Sequence, residues 1–462
     1  MKITLISPYE LGRQPFGLAQ AAAWLEREGC SVVCCDLSIQ RLDDCLEADT
    51  ALVAIYIAMH TATRIAIEAL PKIRLLAPRA SLCVYGLYAP MNADLFRSQG
   101  VETVLGGEYE PGLISLFRRL QTGSAGEQTE PEISLARIDF IAPQRGTLPD
   151  LSRYAGLIHP DGSRETVGFV ETTRGCKYFC RHCPVVPVYQ GTFRVIPAGI
   201  VLDDIRSQIG KGARHISFGD PDFFNGPGHA LRIVRALHEE FPGVSYDATI
   251  KIEHIVKYPG ELRTLKDTGC LFIISAVESV DDDILHELDK GHTRADFIAA
   301  LAFLRAIGID LSPTFVAFTP WTTLTNYLEL LRQIVELRLV ESVAPVQLSI
   351  RLLIPSGSCL LHLESLAGII GAFDQRLLGH PWNNPDPRVD HLQQEIQTWV
   401  AQAERDDLPR REIFAGVWER AHRQAGIPAP PLDEACAGKP IPRLSENWYC
   451  CAEPTCEQLV SF

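Results

Sequence analysis

Over the first 120 or so residues, short runs of consecutive apolar residues alternate with stretches of helical period. Residues 3–7, 31–35, 51–58, 81–85 and 103–105 read as strands buried on both faces. Residues 18–28, 61–76 and 111–120 carry apolar positions three and four apart between them. Strand and helix in strict alternation predict a doubly wound α/β sheet. Gly106, Gly107 and Glu108 end the last strand, at the carboxyl edge where such sheets take ligands.

The pattern lapses over 126–165, rich in Gly, Ser, Pro and Glu, which reads as a linker with an extended arm toward Val167. It then resumes. Strand-like runs at 167–171, 215–218, 245–249, 272–276, 312–318 and 347–353 are separated by helical runs at 201–209, 229–240, 261–268, 294–307 and 324–337. Six such repeats predict a partial β/α barrel with its reactive groups at the strands' carboxyl ends. Residues 361–447 read as helices joined by Pro-rich loops, and 448–462 as a Cys-rich tail. The expected units are therefore 1–125, the linker 126–165, a barrel over 166–360, a helical region over 361–447 and the tail.

Charge and composition narrow the partners. With 43 basic against 57 acidic residues the net charge is −14, which disfavours a nucleic-acid substrate. No apolar run approaches the ~20 residues of a membrane span, and the opening MKITLIS is a strand rather than a signal-peptide core. A cytoplasmic protein is expected, so the 14 cysteines read as buried thiols, ligands or reactive groups rather than disulfides. Cys34 and Cys35, at a strand end, read as core; Cys270, Cys359 and Cys436 as buried or incidental thiols.

Chemistry concentrates in ETTRGCKYFCRHC, where Cys176, Cys180 and Cys183 are spaced CxxxCxxC. Soft thiolates suit an iron-sulfur cluster, and three ligands rather than four leave one iron open. A structural zinc site needs a fourth ligand, for which His182 is the near candidate. The motif, with the aromatic Phe179 just before its middle cysteine, resembles the signature of radical S-adenosylmethionine (SAM) enzymes. That resemblance implies a [4Fe-4S] cluster on the three cysteines, SAM on the open iron, reductive cleavage of its carbon–sulfur bond and an electron donor such as ferredoxin or flavodoxin.

The resemblance extends along the chain. The first 125 residues look like the cobalamin-binding-type unit of many such enzymes, with Pro15-Phe16-Gly17-Leu18 before its first helix. They lack DxHxxG, so cobalamin is a candidate cofactor without a histidine ligand. Gly219, Asp220 and Asp222 correspond to the loop that binds the SAM ammonium, and Glu278 with Ser279 to the strand end that binds its ribose. Lys290-Gly291-His292-Thr293 and Pro355-Ser356-Gly357-Ser358 resemble later turns, while Thr319-Pro320-Trp321 departs from the usual adenine loop.

Trp448 to Cys456 places Cys450, Cys451 and Cys456 close to the last residue, and resembles the CUAEP/CCAEP-tail radical SAM family, some of whose members carry selenocysteine at the position of Cys451. Soft groups there suit a thiophilic small-molecule substrate such as trivalent arsenic, a second metal, or thiol redox. Three readings follow: a radical SAM enzyme acting on a small substrate held by these tail cysteines, a cobalamin-dependent radical SAM methyltransferase, and a non-catalytic thiol redox or metal-binding protein.

Overall fold

The apolar runs of the first 107 residues pair into a parallel sheet in the computed structural model, which describes residues 1–123 and 128–446. Its strands are β1 (Lys2–Ser7), β2 (Ser31–Asp36), β3 (Leu52–Tyr56), β4 (Ser81–Tyr85), β5 (Thr103–Gly107) and β6 (Ile133–Ser134), in the order β2-β1-β3-β4-β5-β6. Helices Phe16–Arg27 and Glu110–Gln121 bury Leu18, Ala22, Leu113 and Phe117 against one face; helix His60–Leu76 buries Ala66, Leu70 and Ile73 against the other. Strand order reverses at β1, and a crevice opens there at the carboxyl edge.

The second sheet contains β7 (Gly156–Ile158), β8 (Arg164–Val170), β11 (His215–Phe218), β12 (Ser245–Thr249), β13 (Cys270–Glu278), β14 (Asp310–Phe315) and β15 (Arg443–Leu444), ordered β14-β13-β12-β11-β8-β7-β15. A separate hairpin joins β9 (Thr173–Gly175) to β10 (Phe193–Val195). Strands β8, β11, β12, β13 and β14 are parallel, and β7 and β15 close the flank in antiparallel pairs. Helices Ala198–Gly210, Pro227–Glu240, Pro259–Asp267, Arg294–Ile307 and Leu324–Glu336 wrap the outside. Helices Pro387–Arg405 and Arg410–Ala425 extend the same core through Val389, Ile396 and Val417.

Two expectations need correction. The sixth strand, expected over 347–353, is reduced to one parallel bridge between Phe318 and Arg351. Pro345 opens a 3₁₀ turn, Pro345–Leu348, and the Gln347 side chain accepts from the Phe315 N–H in place of a ladder bond. The stretch expected as a linker is in part a fastening. Its β6 extends the first sheet, and Arg145, buried completely, donates to both Asp204 oxygens (2.6 and 2.9 Å), to the Phe169 carbonyl (2.7 Å) and to Gln14 Oε1 (2.9 Å). Among the described residues no helix is long and apolar enough to cross a membrane.

Candidate active site at the carboxyl ends of the two sheets

Strand β8 delivers the chain to the cysteine loop, and the β9–β10 hairpin holds that loop's start. Gly175 has φ +73°, and a Cβ there would lie 2.4 Å from the Thr192 carbonyl oxygen, so only glycine fits this close approach. Cys176, Cys180 and Cys183 then line one solvent-open cleft of about 940 Å³ at the carboxyl end of the barrel. The Asn225 side chain lies 3.6 Å from Cys176 Sγ, and the Lys251 ammonium 3.7 Å from Cys180 Sγ. Phe179 points outward, 55% exposed, against Gly191.

His182 does not turn toward the thiols as a fourth ligand. It is buried, with Nε2 3.2 Å from Glu278 Oε1. Among the described residues no three His, Cys, Asp or Glu side chains converge on a single metal position. The three thiols thus border one space rather than a single metal position, and His182, the near candidate for a fourth zinc ligand, is turned to Glu278 instead.

Across the same cleft, β13 ends in Glu278. The β13–β14 register shifts between Ala276 and Glu278, and Glu278 takes φ +67°, a costly conformation for a non-glycine residue that turns its carboxylate into the cleft. Burial would raise its pKa, but the Lys290 ammonium at 3.3 Å and His182 outweigh it and hold the carboxyl at about 2. Burial lowers the His182 pKa, so we assign His182 as neutral with Nε2–H donating to Glu278. Ser279, its expected companion, lies outside the cleft wall and accepts from the Asp281 N–H.

The loop after β11 is organised differently from expectation. Asp220 is buried and accepts from Thr172 N (3.0 Å), Thr172 Oγ1 (2.7 Å) and Thr173 Oγ1 (2.5 Å), so its oxygens fasten the cysteine loop. Asp222 caps the turn Phe223–Asn225, and its Oδ2 lies 2.8 Å from His254 Nδ1. His254 Nε2 in turn meets the Tyr178 hydroxyl at 2.6 Å. Gly219 is required by packing, since a Cβ would lie 2.0 Å from the Phe169 ring. Of this loop Pro221 reaches the cleft wall, with neither carboxylate. Lys251 was missed; it lies two residues beyond the end of β12, as the strand-end position alone could have suggested. Ser358, in the turn expected at 355–358, donates to the Arg181 carbonyl at 3.3 Å.

Residues 170–331 match the family model of the radical SAM superfamily. The chain carries a radical SAM domain. It is 23% identical over 328 residues to hopanoid C-3 methylase of Methylococcus capsulatus, covering 67% of this chain and 62% of that protein. It is 30% identical over 178 residues to tRNA-2-methylthio-N(6)-dimethylallyladenosine synthase of Chlorobium phaeovibrioides, covering 36% and 38%. The chain thus spans 62% and 38%, respectively, of the lengths of these two curated relatives. Its fold is similar to the radical SAM methyltransferase TsrM of Kitasatospora setae, solved with cobalamin and a [4Fe-4S] cluster (TM-score 0.59, 16% identity, 73% of this chain and 70% of that one). It is also similar to the cobalamin-dependent radical enzyme OxsB (TM-score 0.65, 15% identity, 87% and 67%).

A second cleft, with about 1130 Å³ of empty space, lies between the first sheet's carboxyl edge and the radical SAM domain, and shares Val185 and Pro221 with the cysteine cleft. The loop after β1 and the ends of β3, β4 and β5 form one wall, and Phe169, Glu171, Arg174 and Gly219 the other. Arg174, buried, donates to Glu108 (3.1 Å) and Glu110 (2.6 Å) and lies 3.4 Å from Glu171. The Gly106-Gly107 pair serves packing at this edge: a Cβ on Gly107 would lie 2.2 Å from the Ser134 carbonyl oxygen of β6. The tail cysteines Cys450, Cys451 and Cys456 lie outside the described residues.

Proposed function

We propose that the chain is a radical SAM enzyme in which Cys176, Cys180 and Cys183 hold a [4Fe-4S] cluster and SAM lies in the cleft they share with Glu278. One observation carries this reading: three cysteine side chains line the same cleft as a buried, ionised carboxylate at the carboxyl end of a parallel barrel. When bound, such a cluster supplies a low-potential electron to a sulfonium carbon–sulfur bond, generating a carbon radical. The thiols suit such a cluster, and the Lys251 ammonium lies 3.7 Å from Cys180 Sγ.

The chain's own groups do the rest. Glu278, held ionised, accepts hydrogen bonds from ligand hydroxyls. Lys251 and Lys290 offer cationic donors on the same wall, matching a ligand carboxylate. Ile274, Ala276, Phe315, Val316 and Ile350 exclude water from the reacting region. Anaerobic reconstitution with iron and sulfide, followed by dithionite and SAM, should release 5'-deoxyadenosine or another SAM cleavage product, detectable by mass spectrometry. Intact SAM would reject the reading.

A small, thiophilic substrate held by Cys450, Cys451 and Cys456 is supported by their sequence spacing alone. Changing Cys450 and Cys451 to Ser should abolish arsenite binding, and unchanged affinity would dismiss that substrate. A ferredoxin or flavodoxin is the proposed electron source.

The second cleft favours a further reading, cobalamin-dependent radical methylation. It opens at the switch point of a doubly wound sheet and adjoins the cysteine cleft through Val185 and Pro221. Two buried polar atoms on its walls, Arg174 Nη2 and Glu10 Oε2, have no protein partner, as a site built for a polar ligand would leave them. The loop after β1 contains no histidine, so a corrinoid would bind without an imidazole ligand from that loop. Incubation with aquacobalamin and desalting should leave a corrinoid spectrum on the protein; its absence would remove this reading.

A further inference from the structure

The walls of the second cleft carry a polar constellation that radical chemistry in the first cleft leaves unused. Arg174 is 94% buried by its 6% exposure, faces the cleft, and keeps Nη2 without a partner while its other nitrogens engage Glu108, Glu110 and Glu171. Phe16, Tyr109 and Phe140 lie within 6 Å of its guanidinium, so the remaining donor sits in an apolar surround. A donor left bare there costs several times more than in water unless a ligand meets it. Across the cleft, on the loop after β1, Glu10 keeps Oε2 without a partner.

The charge around these atoms selects the ligand. A cation would meet Arg174 and Arg13 on the same lining, and an anion would meet Glu10 and Glu171. The complement of a bare N–H donor and a bare carboxyl oxygen on one lining is a neutral group with its own carbonyl and N–H.

We infer that Arg174 and Glu10 form a carboxamide-binding site, Arg174 Nη2 donating to the carbonyl oxygen and Glu10 accepting the amide N–H of one side chain of a corrinoid bound in the cleft. This rests on the cobalamin reading above, and the test separates the two. Binding to the full-length protein is measured by absorbance titration with two probes that both lack the nucleotide: cobinamide, which carries primary amides, and heptamethyl cobyrinate, which carries esters with no N–H.

The wild type should bind cobinamide about tenfold or more tighter than the ester, the scale of a hydrogen bond in a buried site. Glu10→Leu should erase that preference without weakening the ester, and Glu10→Gln, which keeps an acceptor oxygen, should retain it. Equal affinity for both probes in the wild type, or equal weakening of both by Glu10→Leu, would overturn the carboxamide site while leaving the corrinoid reading intact. Failure of the wild type to bind either probe or aquacobalamin would overturn the corrinoid reading and this site with it.

Discussion

Replacing Glu278 by Gln tests the electrostatic keystone of the cysteine cleft. The substitution keeps the side-chain shape and an acceptor for His182 but removes the charge facing Lys290, which is 4% exposed. The carboxyl is held at about 2 in the folded protein against about 4.3 for free Glu, a depression worth about 3 kcal/mol at neutral pH. Because the folded value is the lower, this stability is present above pH ~4.3 and is lost as pH falls toward about 2. His182, whose folded pKa is also depressed, adds a loss that begins as pH falls below about 6.5.

Glu278→Gln should therefore weaken the local stability of β13 by about 2–3 kcal/mol, since it strands a buried ammonium. Hydrogen exchange of the 270–278 amides, read by mass spectrometry at neutral pH, measures it. Adding Lys290→Met should recover at least half of the loss, because the two sites share one interaction. Unchanged exchange in the single variant, or strictly additive effects in the double, would refute the pairing as the source of the Glu278 shift.

Other substitutions report on other parts of the account. Cys176→Ala, Cys180→Ala and Cys183→Ala should each abolish stable cluster assembly, seen as loss of iron and of the visible absorbance after reconstitution. Arg145→Met leaves Asp204 buried without its partner and should cost about 3–5 kcal/mol, visible as a lowered unfolding midpoint; Arg145→Met with Asp204→Leu should recover much of it. Gly219→Ala drives a methyl group into the Phe169 ring and should cost about 1–3 kcal/mol in the same assay. Asp222→Asn weakens the contact with His254 and should accelerate hydrogen exchange across 176–183, where Tyr178 is held by that histidine.

Local signals carried much of the fold. The helix expected over 294–307 has those bounds because Thr293 and Asp296 form a capping box at one end and Gly308 takes φ +78° at the other, both readable from residue type. The strand at 81–85 is bounded as expected for a short apolar run buried between helices. What escaped depends on distant partners. Strand β6 forms only because Gly106 and Gly107 let it approach, and the sixth barrel strand yields to a side-chain bond from Gln347.

The site divides the same way. The cysteine spacing and Glu278 at a strand end were legible because each is local. Asp220 looked equally suited to face a ligand, yet Thr172 and Thr173, 48 and 47 residues earlier, claim its oxygens. Arg145 and Arg174 are ordinary arginines in the sequence, and their roles appear only once Asp204, Glu108 and Glu110 are brought to them.

The most direct test of the central claim is electron paramagnetic resonance of the anaerobically reconstituted, dithionite-reduced protein before and after addition of SAM. About four irons per chain and a reduced-cluster signal that changes when SAM is added are expected, because the three thiols leave one iron for the ligand. A chain that takes up zinc in preference to iron, or a cluster signal indifferent to SAM, would contradict it.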